Sequence, residues 1–202
     1  MLKNRIHHIF AASFLFFLLP SCDKSREGII SIDHPGNLSP QFIKYTIRAG
    51  QQYCDQSVYK QTNYTELKFA VKFDSTAIYQ TSSAANQLDV NKLYGFSDNN
   101  DDHHRFSARF GWRWSDGGLH LFGYTYNSGE MNYEELGTIS IGAEYACAIK
   151  VTAAYYIFTL NDSSINMPRS SSTETAIGYK LYPFFGGDEA APHDINIWIK
   201  EL

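Results

Sequence analysis

The sequence predicts an all-β protein, an antiparallel two-sheet β-sandwich of jelly-roll type. Three observations predict it. About ten short segments alternate apolar and polar residues and are separated by turn signals. Long helical stretches are hard to find. Tyr and Phe, 14 of each, crowd the strands, and strands this aromatic need a second sheet to cover them.

The clearest segment is a hairpin from Arg105 to Tyr126. In its first arm Phe106, Ala108, Phe110, Trp112 and Trp114 alternate with Arg105, Ser107, Arg109, Gly111 and Arg113. Asp116-Gly117 supplies the two positive-φ positions of a tight turn. That loop pairs Trp114 with Leu119, Arg113 with His120, Trp112 with Leu121 and Arg109 with Tyr124, and paired residues share a face. One face then carries Phe106, Phe110, Trp112, Trp114, Leu119 and Leu121. The other carries Arg105, Arg109, Arg113, His120, Tyr124 and Tyr126.

The remaining elements follow in order. Phe42 to Arg48 reads as the first strand, and Gly50 to Tyr64 as an irregular polar stretch. Glu66 to Phe73 is a strand with Leu67, Phe69, Val71 and Phe73 on its buried face. Ile78-Tyr79 starts a short strand, Ser82 to Asn91 is ambiguous with a helical turn, and Lys92 to Phe96 is extended. Tyr133 to Ile141 is a strand, and Glu144 to Leu160 is two strands with a bend near Thr152-Ala153, because β-branched and aromatic residues dominate it. Asn161 to Thr175, Ser-rich and holding Pro168, reads as a loop. Ile177 to Phe185 is a strand. Asp194 to Ile199 places Ile195, Ile197 and Ile199 on the core face, inside a sheet.

Ahead of these lies a leader. Lys3 and Arg5 precede an apolar run from Ile9 to Leu19, long enough for a signal h-region and too short to span a bilayer. The run ends Leu19-Pro20-Ser21-Cys22, which resembles the lipobox of bacterial lipoproteins. The resemblance implies cleavage before Cys22 and lipidation of that residue, hence a membrane anchor in the cell envelope, at the outer membrane of a Gram-negative bacterium, facing the periplasm or the surface. The organisation expected is a signal peptide at 1–21, a tether at 22–40, punctuated by Pro35, Gly36 and Pro40, and one sandwich domain at 41–202. The formal charge is −4, and loss of Lys3 and Arg5 takes it to about −6. An acidic chain lacks the basic footprint of a general nucleic-acid binder.

Cys54 and Cys147 remain, and an exporting compartment permits a disulfide between them as readily as two buried thiols. The polar run Ser97 to His104 offers Asp98, Asp101 and Asp102 to calcium, and His103-His104 to a transition metal. It lacks the Gly and Glu of an EF-hand loop, so a solvated loop without a cofactor is the expected state.

The polar face of the hairpin is the candidate site: Arg105, Arg109, Arg113, His120, Tyr124 and Tyr126. Guanidinium groups hold carboxylates or sulfates in bidentate fashion, and Tyr rings stack on sugars. The partner such a face suits is a polysaccharide, an anionic one. Arg109 and His120, with Arg-Phe-Ser-Ala-Arg on one strand and Tyr179-Lys180-Leu181-Tyr182 near the end, resemble the concave-face residues of jelly-roll polysaccharide lyases such as alginate lyases. The resemblance implies His120, Tyr124 and Arg109 as a catalytic set. The sequence alone favours a non-catalytic carbohydrate-binding or envelope-interaction sandwich. Its alternatives are a lyase or glycoside hydrolase of the same fold acting on an anionic glycan, and a structural or assembly lipoprotein without a small ligand.

Overall fold

A computed structural model describes residues 40–202. The expected signal peptide, Cys22 and the tether up to residue 39 lie outside the described residues. The described residues form twelve strands: β1 Ile43–Ile47, β2 Gln61–Tyr64, β3 Glu66–Phe73, β4 Asn91–Ser97, β5 Phe106–Ser115, β6 Gly118–Asn127, β7 Glu130–Ile139, β8 Glu144–Val151, β9 Tyr155–Leu160, β10 Ser163–Pro168, β11 Ala176–Leu181 and β12 Ile195–Glu201. They make two six-stranded antiparallel sheets, β1-β12-β3-β8-β9-β10 and β2-β11-β4-β5-β6-β7.

The β5–β6 register is the one the turn chemistry predicts. Trp114 faces Leu119, Arg113 faces His120, Trp112 faces Leu121 and Arg109 faces Tyr124. Asp116 and Gly117 take φ of 52° and 74°, the left-handed pair of a type I′ turn. Trp112, Leu119 and Leu121 are fully buried between the sheets, as are Phe69 and Phe73 of β3. Aromatic edges lock the two layers together: the Phe69 and Phe110 rings meet at 5.5 Å, and Phe110 and Phe158 at 5.4 Å, both T-shaped. The last strand, β12, lies inside its sheet between β1 and β3, with Ile195, Ile197 and Ile199 turned to the core.

Several sequence expectations need correction. Ser163–Pro168 is a strand rather than part of a loop, and Gln61–Tyr64 is a strand within the stretch read as irregular. Ile78 follows a short 3₁₀ turn at Ser75–Ala77 and starts no strand. Cys54 and Cys147 are free and buried, so the permitted disulfide is not formed. Cys54 bridges to Ile47 beyond the β1 edge, whereas Cys147 sits on β8 opposite Phe69. Four strand spacings, roughly 19 Å, separate them, and a disulfide needs Cα atoms within about 7 Å. Burial raises both thiol pKa values and makes them inert. Non-reducing peptide mapping is expected to recover Cys54 and Cys147 as separate alkylated peptides, with an unchanged melting temperature in reductant. A cross-linked peptide would contradict this topology.

Candidate functional site

The outer face of the β2–β7 sheet carries the polar side of the hairpin, but its arginines do not form one row. Arg105 lies beyond the end of β5, in the preceding turn, paired with Asp101 at 2.8 Å and largely in solvent. Arg113 is held near the other end: Nη1 donates to the Leu88 carbonyl at 2.9 Å, and the guanidinium lies over the Phe122 ring at 4.8 Å. His120, paired with Arg113, sets Nδ1 against Glu135 at 2.7 Å and Nε2 against the Ser115 carbonyl at 3.2 Å. Four residues along a strand separate this cluster from Arg109, about 13 Å.

Arg109 therefore stands apart, and a groove is built around it. Its cross-strand neighbour is Gly95, where a Cβ would collide with the Ala108 carbonyl and the Arg109 Cα. The missing side chain lets β4 and β5 close together under the groove. Opposite, Tyr124 lies flat against two cations: the Arg109 guanidinium is 5.6 Å from its ring centre, and Lys92 Nζ is 4.9 Å away. Lys92 pairs with Gly111 just before a bulge in β4, and Val90 fills the space that a side chain on Gly111 would take. Val90, Phe122 and Tyr124 form a small second core beneath, with Tyr126 against it.

The electrostatics are those of two neighbouring cations drawn out of solvent. Arg109 is 6% exposed, forms no ion pair among the described residues, and its Nε has no hydrogen-bond partner. Burial pushes its pKa down to about 10, opposed by the phenols of Tyr124, Tyr126 and Tyr179. Lys92 is pushed down to about 8, first by burial and then by Arg109, against a smaller opposing pull from Asp89. Two uncompensated cations at one ring are costly unless a ligand supplies the negative charge.

His103, which the sequence offered with His104 to a transition metal and not to the hairpin face, completes the groove. His103 comes from the polar run before β5. Asp102 Oδ1 caps that turn by accepting the His104 N–H at 2.8 Å, and Ser107 Oγ donates to the His103 carbonyl at 2.7 Å. The ring Nδ1 sits 2.8 Å from Tyr179 Oη, which also accepts the His103 backbone N–H at 3.1 Å. Burial, then Arg109 and His104, lower the His103 pKa to about 4, so the ring is neutral at pH 7. The cavity of about 500 Å³ is lined by Arg109, Lys92, His103, His104, Tyr126, Lys180, Tyr182 and Phe184. Tyr53 and Tyr59, 69% and 80% exposed, stand at its rim. A second hollow of about 470 Å³ abuts it, sharing Val58, Lys180 and Tyr182 and adding Lys60.

The three aspartates proposed for calcium do not converge. Asp98 turns inward, its side chain fully buried against Arg169 and Tyr156. Asp101 pairs with Arg105, and Asp102 caps the turn. Among the described residues only Asp102, His103 and His104 bring ligating atoms together, within 4.8 Å.

No protein-family model and no curated protein sequence matches the chain. Solved structures do. The alginate lyase AlyC3 superposes with a TM-score of 0.53 over 78% of this chain and 72% of its own, at 8% identity. A glycoside hydrolase family 16 endo-glucanase from Bacteroides ovatus gives 0.49 at 12% identity, covering 81% of each chain. The family 7 alginate lyase A1-II′ with product gives 0.49 at 13% identity, covering 78% and 76%. What the AlyC3 superposition shows is the fold: this chain is a two-sheet jelly-roll sandwich similar to that of an alginate lyase.

Proposed function

We propose that the domain binds an anionic polysaccharide of the uronate class in the Arg109 groove and cleaves it by β-elimination. The observation that carries this is the buried, unpaired Arg109 beside Lys92 over Tyr124. A uronate carboxylate supplies the missing charge, bidentate on Arg109. The aromatic rim offers flat faces to the sugar rings. The fold, shared with a protein described as an alginate lyase, adds support for a polyuronate in particular.

In this reading Arg109 and Lys92 neutralise the carboxylate, which acidifies the adjacent ring proton. His103 takes that proton. The role requires the tautomer in which Nδ1–H donates to Tyr179 Oη, 2.8 Å away, and Nε2 is bare, with Tyr179 as the positioning residue. The electron pair forms the ring double bond, the glycosidic C–O bond breaks, and Tyr126 protonates the leaving oxygen. His103 thus takes the role that the lyase resemblance gave to His120. The test is incubation with polyuronates. Growth of ultraviolet absorbance from unsaturated ends in the parent, and its loss in His103→Ala, is the expected result. Binding without new absorbance would make the groove a carbohydrate-binding site without turnover.

The pH dependence has a defined sign. His103 must be unprotonated, which holds above its pKa of about 4. Lys92 must be protonated, which holds below about 8. Activity at sub-saturating substrate is expected to plateau between these limits and to fall as pH rises through 8. In Lys92→Arg the alkaline limb should move up, because a guanidinium keeps its charge there. An unmoved limb would exclude Lys92 as its source.

A further inference from the structure

We propose that the outer face of the other sheet, β1-β12-β3-β8, is a docking surface for an anionic lipid bilayer. The observation is a ladder of lysines around two rings. Trp198 on β12 lies directly between Lys44 of β1 and Lys72 of β3 in register, and both ammonium groups lie over its indole, at 5.7 and 5.5 Å. One rung along, Lys200 lies over the Phe42 ring at 4.6 Å, and Lys72 reaches the same ring at 5.6 Å. Lys68 and Lys150 extend the row on β3 and β8. Among the described residues five lysines thus share the strands of one face with Glu66 and Glu144, in a chain whose net charge is −4, and Asp194, which lies near Lys44 just ahead of β12, is itself paired with Arg48. Glu144 pairs with Lys200 and Glu66 with Lys68, which leaves Lys44, Lys72 and Lys150 as surplus positive charge.

The chemistry fits a bilayer rather than a discrete ligand. Between the lysines the face is floored by Ala70, Ala146 and Ala148, small residues that leave the backbone of the sheet close to the surface. The cations are all lysines, hydrated point charges suited to a field of headgroups. Trp198 and Phe42 are half-buried rings ringed by ammonium groups, the composition of a membrane-interface belt. Docked this way, the domain would turn the Arg109 groove, which lies on the opposite sheet, away from the bilayer toward polymer in solution.

The experiment uses the full chain and vesicles of phosphatidylcholine with or without phosphatidylglycerol, read by co-sedimentation. Lys44→Glu/Lys72→Glu is compared with Lys60→Glu/Arg105→Glu, which makes the same change in net charge off this face. Each lysine near an anionic surface contributes roughly fivefold to partitioning. The preference for anionic over neutral vesicles is expected to drop at least about 30-fold in the first variant, with a much smaller loss in the second. Brominated lipid should quench the parent more than Trp198→Phe. Equal losses in the two variants would show a net-charge effect and overturn the proposal. So would unquenched Trp198 emission, or binding of a soluble acidic polymer at this face without binding of vesicles. Arg109→Met, which removes the groove cation, should leave vesicle binding unchanged, so failure of the glycan reading and failure of this one are separable.

Discussion

Asp98→Ala is expected to lower the unfolding free energy by about 3–5 kcal/mol, the cost of stranding one member of a buried ion pair. Asp98 and Arg169 are both without solvent exposure. Asp98 Oδ2 accepts from Arg169 Nε at 2.6 Å and from Tyr156 Oη at 2.6 Å, and Oδ1 accepts from Arg169 Nη2 at 3.2 Å and the Asn99 N–H at 2.6 Å. The guanidinium also donates to the carbonyls of Thr152, Thr173 and Thr175. One carboxylate therefore ties the end of β4 to the β8–β9 turn and to the segment entering β11. Without it, Arg169 keeps only neutral acceptors for a full charge inside the sandwich. Burial and the Asp98 charge also raise the Tyr156 pKa, so its phenol remains a donor that has lost its acceptor. Asp98→Asn keeps the shape and one acceptor, and should recover part of the loss. Urea denaturation measures both. A midpoint in Asp98→Ala within about 1 kcal/mol of the parent would mean that the pair contributes little. The consequence for the groove follows from chain order: Asp98 opens the loop that ends in His103, so this core pair sets where the histidine stands.

The two roles inside that loop explain what the sequence could and could not tell. Period-two alternation made the β5–β6 register legible residue by residue, because Asp-Gly dictates the turn and the turn dictates the pairing. The same logic located the bend between β8 and β9 and the interior place of β12. Edge strands β2 and β10 escaped it. Gln-Thr-Asn-Tyr and Ser-Ser-Ile-Asn-Met-Pro face solvent on one side and lack a neighbour on the other, so no apolar period is required of them. The partition of the hairpin faces was also legible, but not the site on them. Arg109 is joined to Lys92 through pairing of β4 with β5 across a bulge, and to His103 through a turn stabilised by its own side chains. A lone lysine in an extended stretch gives no sign of the strand it will face. Asp98 and His103, five residues apart in one polar run, point to opposite sides of the sheet. Composition alone reads both as a solvated loop.

Arg109→Met should make the protein more stable while sharply weakening its affinity for polyuronate. Methionine matches the length and volume of the aliphatic stem, so packing against Tyr124 survives while the charge goes. The parent keeps that charge at neutral pH, since burial lowers the pKa only to about 10, and no carboxylate offsets its desolvation. Removing it should raise stability by about 1–2 kcal/mol, or roughly 3–6 °C in melting temperature for a domain of this size. The sign of the pH dependence follows from the lowered pKa. The penalty is fully present below about 10, where folded and unfolded states both carry the proton. It shrinks between 10 and the ordinary arginine value as only the unfolded state stays protonated. The gap between variant and parent should therefore be constant from pH 5 to 9 and close only above that. Loss of a desolvated charge contact costs about 2–5 kcal/mol, so affinity should fall at least about 30-fold. The two readouts constrain each other. A variant that binds as the parent does removes the anion site from this groove. A variant that loses both stability and binding makes Arg109 a structural residue whose partner is the protein itself. Only the opposed pair, tighter folding with lost binding, fits a cation that the fold holds at a cost for a carboxylate to reach.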